Sequence, residues 1–116
     1  MIVMDKIIVD NRPWGKFEQF VTNEKCTVKL LYINANKRLS YQYHNKRSEF
    51  WKIIIGKVNI ILNGEHRILS KGDLLEIPIK AKHRIEGVED SIILEITFGN
   101  FDENDIVRIE DDFHRQ

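Results

Sequence analysis

Short runs of β-forming residues, separated by turn residues, fill most of this chain. Between residues 14 and 98 the apolar runs are interrupted by Gly, Asn, Lys or Asp, and no long stretch has the period of a helix. The runs recur about every 8 to 12 residues, which is typical of a sandwich or a barrel. Asn63 and Gly64 both tolerate positive φ, so they predict a two-residue type I′ hairpin turn. We therefore predict an all-β fold with strands at 16–21, 27–33, 39–43, 49–55, 57–62, 66–69, 73–77, 83–86 and 91–98.

The last residues have a different composition from the rest. Past Gly99 the chain becomes acidic and polar. A short apolar stripe remains at Ile106, Val107, Ile109 and Phe113. We predict that residues 100–116 form a strap or a short helix packed on the barrel. A chain of 116 residues suffices for one core and is too short for two ordinary domains, so residues 1–116 are expected to form a single domain.

Charge and cysteine content limit the partners and the compartment. Lys plus Arg and Asp plus Glu both number 18, so no net charge favours a nucleic acid or a membrane surface as partner. One cysteine, Cys26, excludes an internal disulfide and fits a reducing, cytoplasmic location. The first fifteen residues mix charges into an apolar stretch, and we expect no signal peptide. Apolar runs such as 53–55 and 92–94 are far shorter than the roughly 20 residues of a membrane helix.

Four residues have the types and spacing of a metal site. Gln42 and His44 alternate on one predicted strand, so their side chains point to the same face. Glu49 follows a short polar turn that lets the next strand return alongside. His83 comes from a distant strand, which a closed barrel can bring to the same pocket. Each residue alone is more simply structural, but the joint set suits one divalent ion, with zinc as first choice and Mn, Co, Ni or Fe as alternatives.

These residues resemble the two motifs of the cupin superfamily. The first motif is matched by Asn36-x5-Gln42-x-His44-x4-Glu49-x6-Gly56, with Gln where many members have His and Asn where many have Gly. The second is matched by Gly72-x5-Pro78-x4-His83, with Lys80 where Gly is usual. The resemblance implies a single cupin barrel, which is a double-stranded β-helix or jelly roll.

A narrower resemblance, to the cupin domain of type II phosphomannose isomerases, covers nearly the whole chain. It is carried by Arg12-Pro-Trp-Gly15, Gln42-x-His44-x2-Arg47-Ser-Glu49-x-Trp51, Ile77-Pro78-x2-Ala81-x-His83-Arg84 and Asp105-Ile-Val-Arg-Ile-Glu-Asp-Asp112. That domain often follows a mannose-1-phosphate guanylyltransferase domain, and here we expect it to stand alone. The resemblance implies a hexose phosphate as substrate and the interconversion of mannose 6-phosphate and fructose 6-phosphate. It also implies the metal set Gln42, His44, Glu49 and His83.

The chain departs from that family at three places. The family commonly has a run of histidines at 44–46, His at position 50 and Tyr-Gly-Arg at 113–115, where this chain has His-Asn-Lys, Phe and Phe-His-Arg. These departures leave the identity of the sugar open.

Arginine residues are the candidates for binding the phosphate, because the planar guanidinium pairs with phosphate oxygens. The predicted substrate-binding residues are Arg12, Trp14, Arg47 and Arg84, with Arg115 a weaker candidate. The simpler interpretation is that the arginines are solvated and that the tryptophans, Trp51 above all, belong to the core. Aldose–ketose exchange also needs a base within reach of the moving proton. The groups near the motifs are Lys52, Lys80, Lys82, Glu86 and His114, and from this region we take Lys52 and Arg84 as the catalytic candidates.

Other functions stay open at this point. One is a non-catalytic cupin that binds a sugar phosphate or sugar nucleotide and assists a separate transferase. Another is a sugar-nucleotide ketoisomerase, and a third is an iron dioxygenase, against which Gln42 argues because such sites more often have two His and one carboxylate. A small barrel has exposed sheet edges, so we also expect a homodimer.

Overall fold

A computed structural model describes residues 7–115, and all regular elements in that range are β-strands. They are β1 (Ile8–Arg12), β2 (Gly15–Gln19), β3 (Cys26–Ile33), β4 (Tyr41–Tyr43), β5 (Arg47–Ile55), β6 (Lys57–Leu62), β7 (Glu65–Ser70), β8 (Leu74–Ile77), β9 (His83–Gly87), β10 (Ser91–Gly99) and β11 (Val107–Glu110). Within this range we find no helix that could cross a membrane. The all-β prediction is confirmed. The expected absence of a signal peptide concerns residues 1–6 in part, and these lie outside the described residues.

Two of the sheets form the barrel. One has four strands in the order β3-β10-β5-β8, and the other has five in the order β11-β4-β9-β6-β7. The strands of both sheets pair antiparallel, and most neighbours are distant in sequence, as in a jelly roll. The predicted strap contributes β11, an edge strand beside β4, and not a helix.

The inward faces of the two sheets pack against each other, and the composition of this interior changes along the barrel. At one end Ile33, Ile53 and Ile93 from the four-stranded sheet pack with Val58 and Ile85 from the five-stranded sheet. Toward the other end the buried side chains become polar: His44, Arg47, Glu49, His83, Glu95 and Thr97. An apolar core of this kind fixes the strand register, and it thereby fixes the positions of the polar residues.

The outer face of the four-stranded sheet carries a second apolar cluster. Phe50, Ile96 and Phe98 are buried there beneath Phe20 and Val21, which follow the β1–β2 hairpin. Sequence analysis missed β1, and the hairpin forms a separate two-stranded sheet.

The turns follow the sequence signals closely. Asn63 and Gly64 have φ of 48° and 84°, and they join β6 to β7 in the predicted two-residue hairpin. Gly56, the last residue of the first motif, has φ of 95°, and a Cβ there would lie 2.6 Å from the carbonyl oxygen of Asp90. Glycine is therefore required where β5 turns into β6.

Candidate metal centre

Three of the predicted ligands converge inside the barrel. His44 follows β4, Glu49 lies in β5 and His83 begins β9, so three separate strands supply them. Their exposed fractions are 2%, 2% and 1%, respectively. One ligand atom from each residue lies within 4.8 Å of the other two.

The ligand atoms have the spacing of a shared ion. Glu49 Oε1 lies 3.1 Å from His44 Nε2 and 3.1 Å from His83 Nε2. Ligands bound at about 2.0 to 2.2 Å in tetrahedral or octahedral geometry are separated by about 3 to 3.5 Å. The centroids of the two imidazole rings lie 5.2 Å apart, and the ring planes are tilted by 50°.

The unsatisfied atoms of this cluster fit a cation. Glu49 Oε1 and His83 Nε2 are buried and lack a hydrogen bond of good geometry, despite the short distance between them. Burial by itself raises the pKa of Glu49, but the neighbouring imidazoles of His44 and His83 reverse this shift and lower the pKa. An ionised carboxylate facing two imidazole nitrogens in a buried position is a donor set for a divalent ion.

Main-chain carbonyls fix both imidazole rings. Nδ1 of His44 lies 2.7 Å from the carbonyl oxygen of Asp105, and Nδ1 of His83 lies 2.8 Å from that of Ala81. A carbonyl oxygen only accepts, so each Nδ1 carries a proton and, in the neutral imidazole, the lone pair is on Nε2. Nε2 of His83 has no hydrogen-bond partner, whereas Nε2 of His44 faces the Arg47 guanidinium. Metal-binding histidines typically have such partners, which set the tautomer and the orientation of the ring.

Gln42 lies beside this cluster. It is the cross-strand partner of His83 in the β4–β9 pair, so the two side chains share one face of the sheet. Its Oε1 accepts a hydrogen bond of 2.8 Å from the hydroxyl of Ser40. The role of Gln42 as a fourth ligand stays a prediction.

A second carboxyl group, Glu95, contacts the cluster from β10. Trp51 Nε1 donates a hydrogen bond of 3.1 Å to Glu95 Oε2, and Trp51 and Glu95 are partners in the β5–β10 register. Burial, together with the neighbouring Glu49 carboxyl, raises the pKa of Glu95 to about 8. Trp51 is buried in the core as expected, and its ring also packs edge-on against His83.

Two cations and one aromatic ring lie next to the candidate ligands. Arg47 is buried, and its Nη2 lies 3.3 Å from Nε2 of His44. The guanidinium of Arg47 and the ammonium of Lys29 both lie over the ring of Phe101, at 4.7 and 4.5 Å from its centroid. Nε of Arg47 is buried without a hydrogen-bond partner. The structure thus brings Arg47, one of the predicted phosphate-binding residues, to the candidate ligands.

Lys52 and Arg84 do not join this cluster. Lys52 alternates with Trp51 along β5, and it pairs with Glu18 at 2.6 Å on the outer face of the sheet. Arg84 follows the inward-facing His83 and therefore points to the opposite side. It donates to the carbonyl of Leu39 at 2.8 Å and contacts the carboxylate of Glu110. The catalytic roles of Lys52 and Arg84 stay predictions, and these contacts do not support them.

Arg12 and Trp14 lie at the turn of the β1–β2 hairpin. Arg12 pairs with Asp10 and lies over the ring of Phe17 within the same hairpin. Trp14 is 73% exposed. Contact of either residue with a substrate stays a prediction.

Sequence reasoning did not single out Glu95, Lys29 or Phe101. Glu95 is a charged residue inside the apolar run 92–96, and an inward charge in a strand buried on both faces is a signal that was available. Lys29 and Phe101 carry no such signal, because their place near Arg47 depends on how residues 100–105 fold back over the barrel end.

An antiparallel jelly-roll barrel with His, Glu and His converging in its interior defines the chain as a cupin. Solved structures with this fold include the capsular polysaccharide assembling protein CapF of Staphylococcus aureus. It matches with a TM-score of 0.67 and 20% identity over 90% of this chain and 34% of CapF. KdgF of a Halomonas species matches with a TM-score of 0.66 and 19% identity, over 73% of this chain and 78% of KdgF.

The sequence narrows this class further. Residues 5–111 match the family described as Mannose-6-phosphate isomerase C-terminal, and the protein belongs to that family. Mannose-1-phosphate guanylyltransferase ManC of Salmonella typhimurium is 33% identical over 107 residues, which are 90% of this chain and 22% of that relative. Xanthan biosynthesis protein XanB of Xanthomonas campestris is 29% identical over 107 residues, which are 90% of this chain and 23% of XanB. The chain thus spans about a fifth of the length of these relatives.

Proposed function

We propose that this cupin is a metal-dependent sugar-phosphate isomerase that interconverts mannose 6-phosphate and fructose 6-phosphate. The observation that carries the proposal is the convergence of His44, Glu49 and His83 next to the buried guanidinium of Arg47. Membership in the family described as Mannose-6-phosphate isomerase C-terminal agrees with this activity.

The donor set suits the charge that this reaction develops. Moving a proton between neighbouring carbons of a sugar creates negative charge on the two sugar oxygens, and a bound divalent ion would supply Lewis-acid stabilisation there. Glu49, His44 and His83 would hold the ion, because their ligand atoms are already oriented by the strands and the main-chain carbonyls.

The cations near the site would bind the anionic part of the substrate. The guanidinium of Arg47 is a planar fork that can pair with two phosphate oxygens. Because Arg47 is buried, water would screen its attraction to a bound phosphate only weakly. Lys29 also lies over the Phe101 ring and would add a second positive charge. Glu95 is a titratable group that contacts Glu49 from β10, so we propose it ahead of Lys52 for the proton transfer.

A second candidate function is a sugar-nucleotide or sugar-phosphate binding module that assists a transferase. It is favoured by the names of the curated relatives, which include several mannose-1-phosphate guanylyltransferases of which this chain matches about a fifth. In that case the cluster would bind a ligand without turning it over.

One assay separates the two functions. The purified protein is stripped with a chelator, reloaded in parallel with Zn²⁺, Mn²⁺, Co²⁺, Ni²⁺ or Fe²⁺, and incubated with mannose 6-phosphate while fructose 6-phosphate is measured. Binding of mannose 1-phosphate and GDP-mannose to the same preparations is measured by calorimetry. An isomerase forms fructose 6-phosphate only when it is metal-loaded.

The controls make each outcome decisive. His44→Ala should abolish the metal-dependent turnover, and His66→Ala, which removes an exposed histidine of β7, should leave it unchanged. Binding of GDP-mannose without turnover by any metal form would reject the isomerase and support the binding module.

A further inference from the structure

The carboxylate of Asp105 accepts hydrogen bonds from the turn that directly follows His44. Its Oδ1 accepts the main-chain N–H of Asn45, and its Oδ2 accepts that of Lys46, both at 2.9 Å. The main-chain oxygen of the same residue accepts the Nδ1 proton of His44 at 2.7 Å. One residue of the C-terminal segment thus binds both the backbone after His44 and the imidazole ring itself.

The same segment also holds Arg47. The carbonyl of Asp102 lies 3.4 Å from Nη1 of Arg47, and the ring of Phe101 lies under its guanidinium. Residues 101–105 therefore contact both a candidate metal ligand and the cation beside it. These contacts come from a part of the chain that is about 60 residues away from His44 in sequence.

The segment is fixed to the barrel further along the chain. β11 pairs with β4, with Val107 opposite Tyr43 and Arg108 opposite Gln42. Beyond β11, Arg38 and Asp112 form a bidentate ion pair at 2.7 and 2.8 Å. Arg84, on the outer face of β9, contacts Glu110, so this buried arginine also helps to hold β11 on the barrel.

We propose that Asp105 is a positioning residue for the metal centre, and that docking of the segment 100–115 and loading of the metal stabilise each other. The inference rests on the metal site of the proposed function, but it does not depend on isomerase activity. Thermodynamic linkage makes the coupling reciprocal: if the docked segment improves the orientation of His44, a bound ion must stabilise the docked segment.

Three measurements test the proposal on the full chain. The first is the affinity for Zn²⁺, from competition with a chelator, in the wild type, Asp105→Ala, Asp105→Asn and Asp111→Ala. The second is hydrogen exchange of the amides of β11 in wild-type protein with and without Zn²⁺. The third is the NMR signal of the Nδ1 proton of His44, for which the Nδ1 proton of His83 serves as an internal control.

Asp105→Ala should weaken Zn²⁺ binding by about 10- to 100-fold, the range usual for loss of a residue that orients a metal ligand. Asp105→Asn keeps one acceptor oxygen, so its affinity for Zn²⁺ should lie between those of the wild type and Asp105→Ala. Asp111→Ala is the matched control, because Asp111 also accepts two main-chain N–H groups, from Phe113 and Arg115, but contacts no residue of the site.

The spectroscopic and exchange results distinguish positioning from general loss of structure. Asp105→Ala should broaden or abolish the Nδ1 signal of His44 and leave that of His83, which bonds to Ala81. Zn²⁺ should slow exchange in β11 of the wild type, a result that needs no variant to fold. Unchanged exchange in β11, or Zn²⁺ affinity of folded Asp105→Ala within twofold of wild type, would overturn the inference. Tight, coupled Zn²⁺ binding without formation of fructose 6-phosphate would instead reject only the proposed isomerase.

Discussion

The main-chain N–H of Lys80 donates a hydrogen bond of 2.8 Å to the main-chain carbonyl of His44. This bond joins the two cupin motifs directly, because Lys80 lies in the turn before His83 and His44 is a candidate ligand of the first motif. Lys80 has φ of 68°, in the left-handed region, at the position where the second cupin motif usually has glycine. The turn thus keeps a glycine-like backbone at an energetic cost to the lysine.

Replacing this lysine by glycine should stabilise the protein. We expect Lys80→Gly to raise the free energy of unfolding by about 1 kcal/mol, because relief of left-handed strain, about 1 to 2 kcal/mol, exceeds the entropy that glycine adds to the unfolded chain, about 0.4 to 1 kcal/mol. Urea unfolding measures the difference. Lys82→Gly, at an exposed position outside the left-handed region, is the control and should lower stability. A similar loss in both variants would contradict the strain argument.

His44→Ala tests whether a metal is needed for the chemistry. The variant loses one imidazole ligand, so Zn²⁺ affinity should fall, and mannose 6-phosphate isomerisation should fall by at least about 100-fold, equivalent to about 3 kcal/mol of transition-state stabilisation. Stability of the metal-free protein should change only modestly, since the cavity would lie in a polar pocket. Wild-type activity of His44→Ala after chelation and dialysis would refute the metal mechanism.

Arg47→Lys and Arg84→Lys form a matched pair, because both arginines are buried and flank candidate ligands in sequence. Lysine lacks the bidentate fork, so Arg47→Lys should raise KM for mannose 6-phosphate by about tenfold or more. Arg84→Lys should leave KM unchanged and lower stability instead, because Arg84 contacts Leu39 and Glu110. If Arg84→Lys alone raised KM, the sequence-based assignment of Arg84 to the substrate would be correct.

Local patterns predicted most of the strands and the convergence of three of the four candidate ligands, for physical reasons that can be named. The Asn63-Gly64 turn and the alternation of Gln42 with His44 are decided within a few residues, and sequence contains that information directly. The sequence also contains the position of Arg84: side chains alternate along a strand, so Arg84 must point away from the face to which its neighbour His83 points.

Other features depend on contacts between distant segments. Lys29 contacts Phe101, and His44 contacts Asp105, only because residues 100–105 fold back over the end of the barrel. No periodicity in the sequence encodes that path. β1 was missed because it is mostly exposed and shows no alternation of buried and exposed residues. It is a strand because it pairs with β2 in the hairpin.

Glu95 should give the metal-free protein a characteristic pH dependence. Its pKa is raised from 4.5 to about 8, so the folded state binds more protons than the unfolded state between these values. Stability must then fall as the pH rises through that window. Glu95→Gln removes the titrating group, keeps an acceptor for Trp51 and should flatten the curve. Chemical unfolding at several pH values measures this. Parallel curves for the two proteins would show that Glu95 does not titrate as proposed.

The homodimer also stays a prediction, and β3 is the edge that best fits it. β3 is an eight-residue edge strand whose outward Val28, Leu30 and Tyr32 are 57%, 50% and 70% exposed. A long apolar edge of this kind favours pairing, and two copies of β3 pairing antiparallel about a two-fold axis would join the two four-stranded sheets. We expect light scattering to give a dimer for the wild type and a monomer for Leu30→Lys. Ile68→Lys, at a 58% exposed position on the opposite edge strand β7, should remain dimeric. Dissociation by Ile68→Lys alone would move the interface to β7, and a monomeric wild type would make the homodimer prediction wrong.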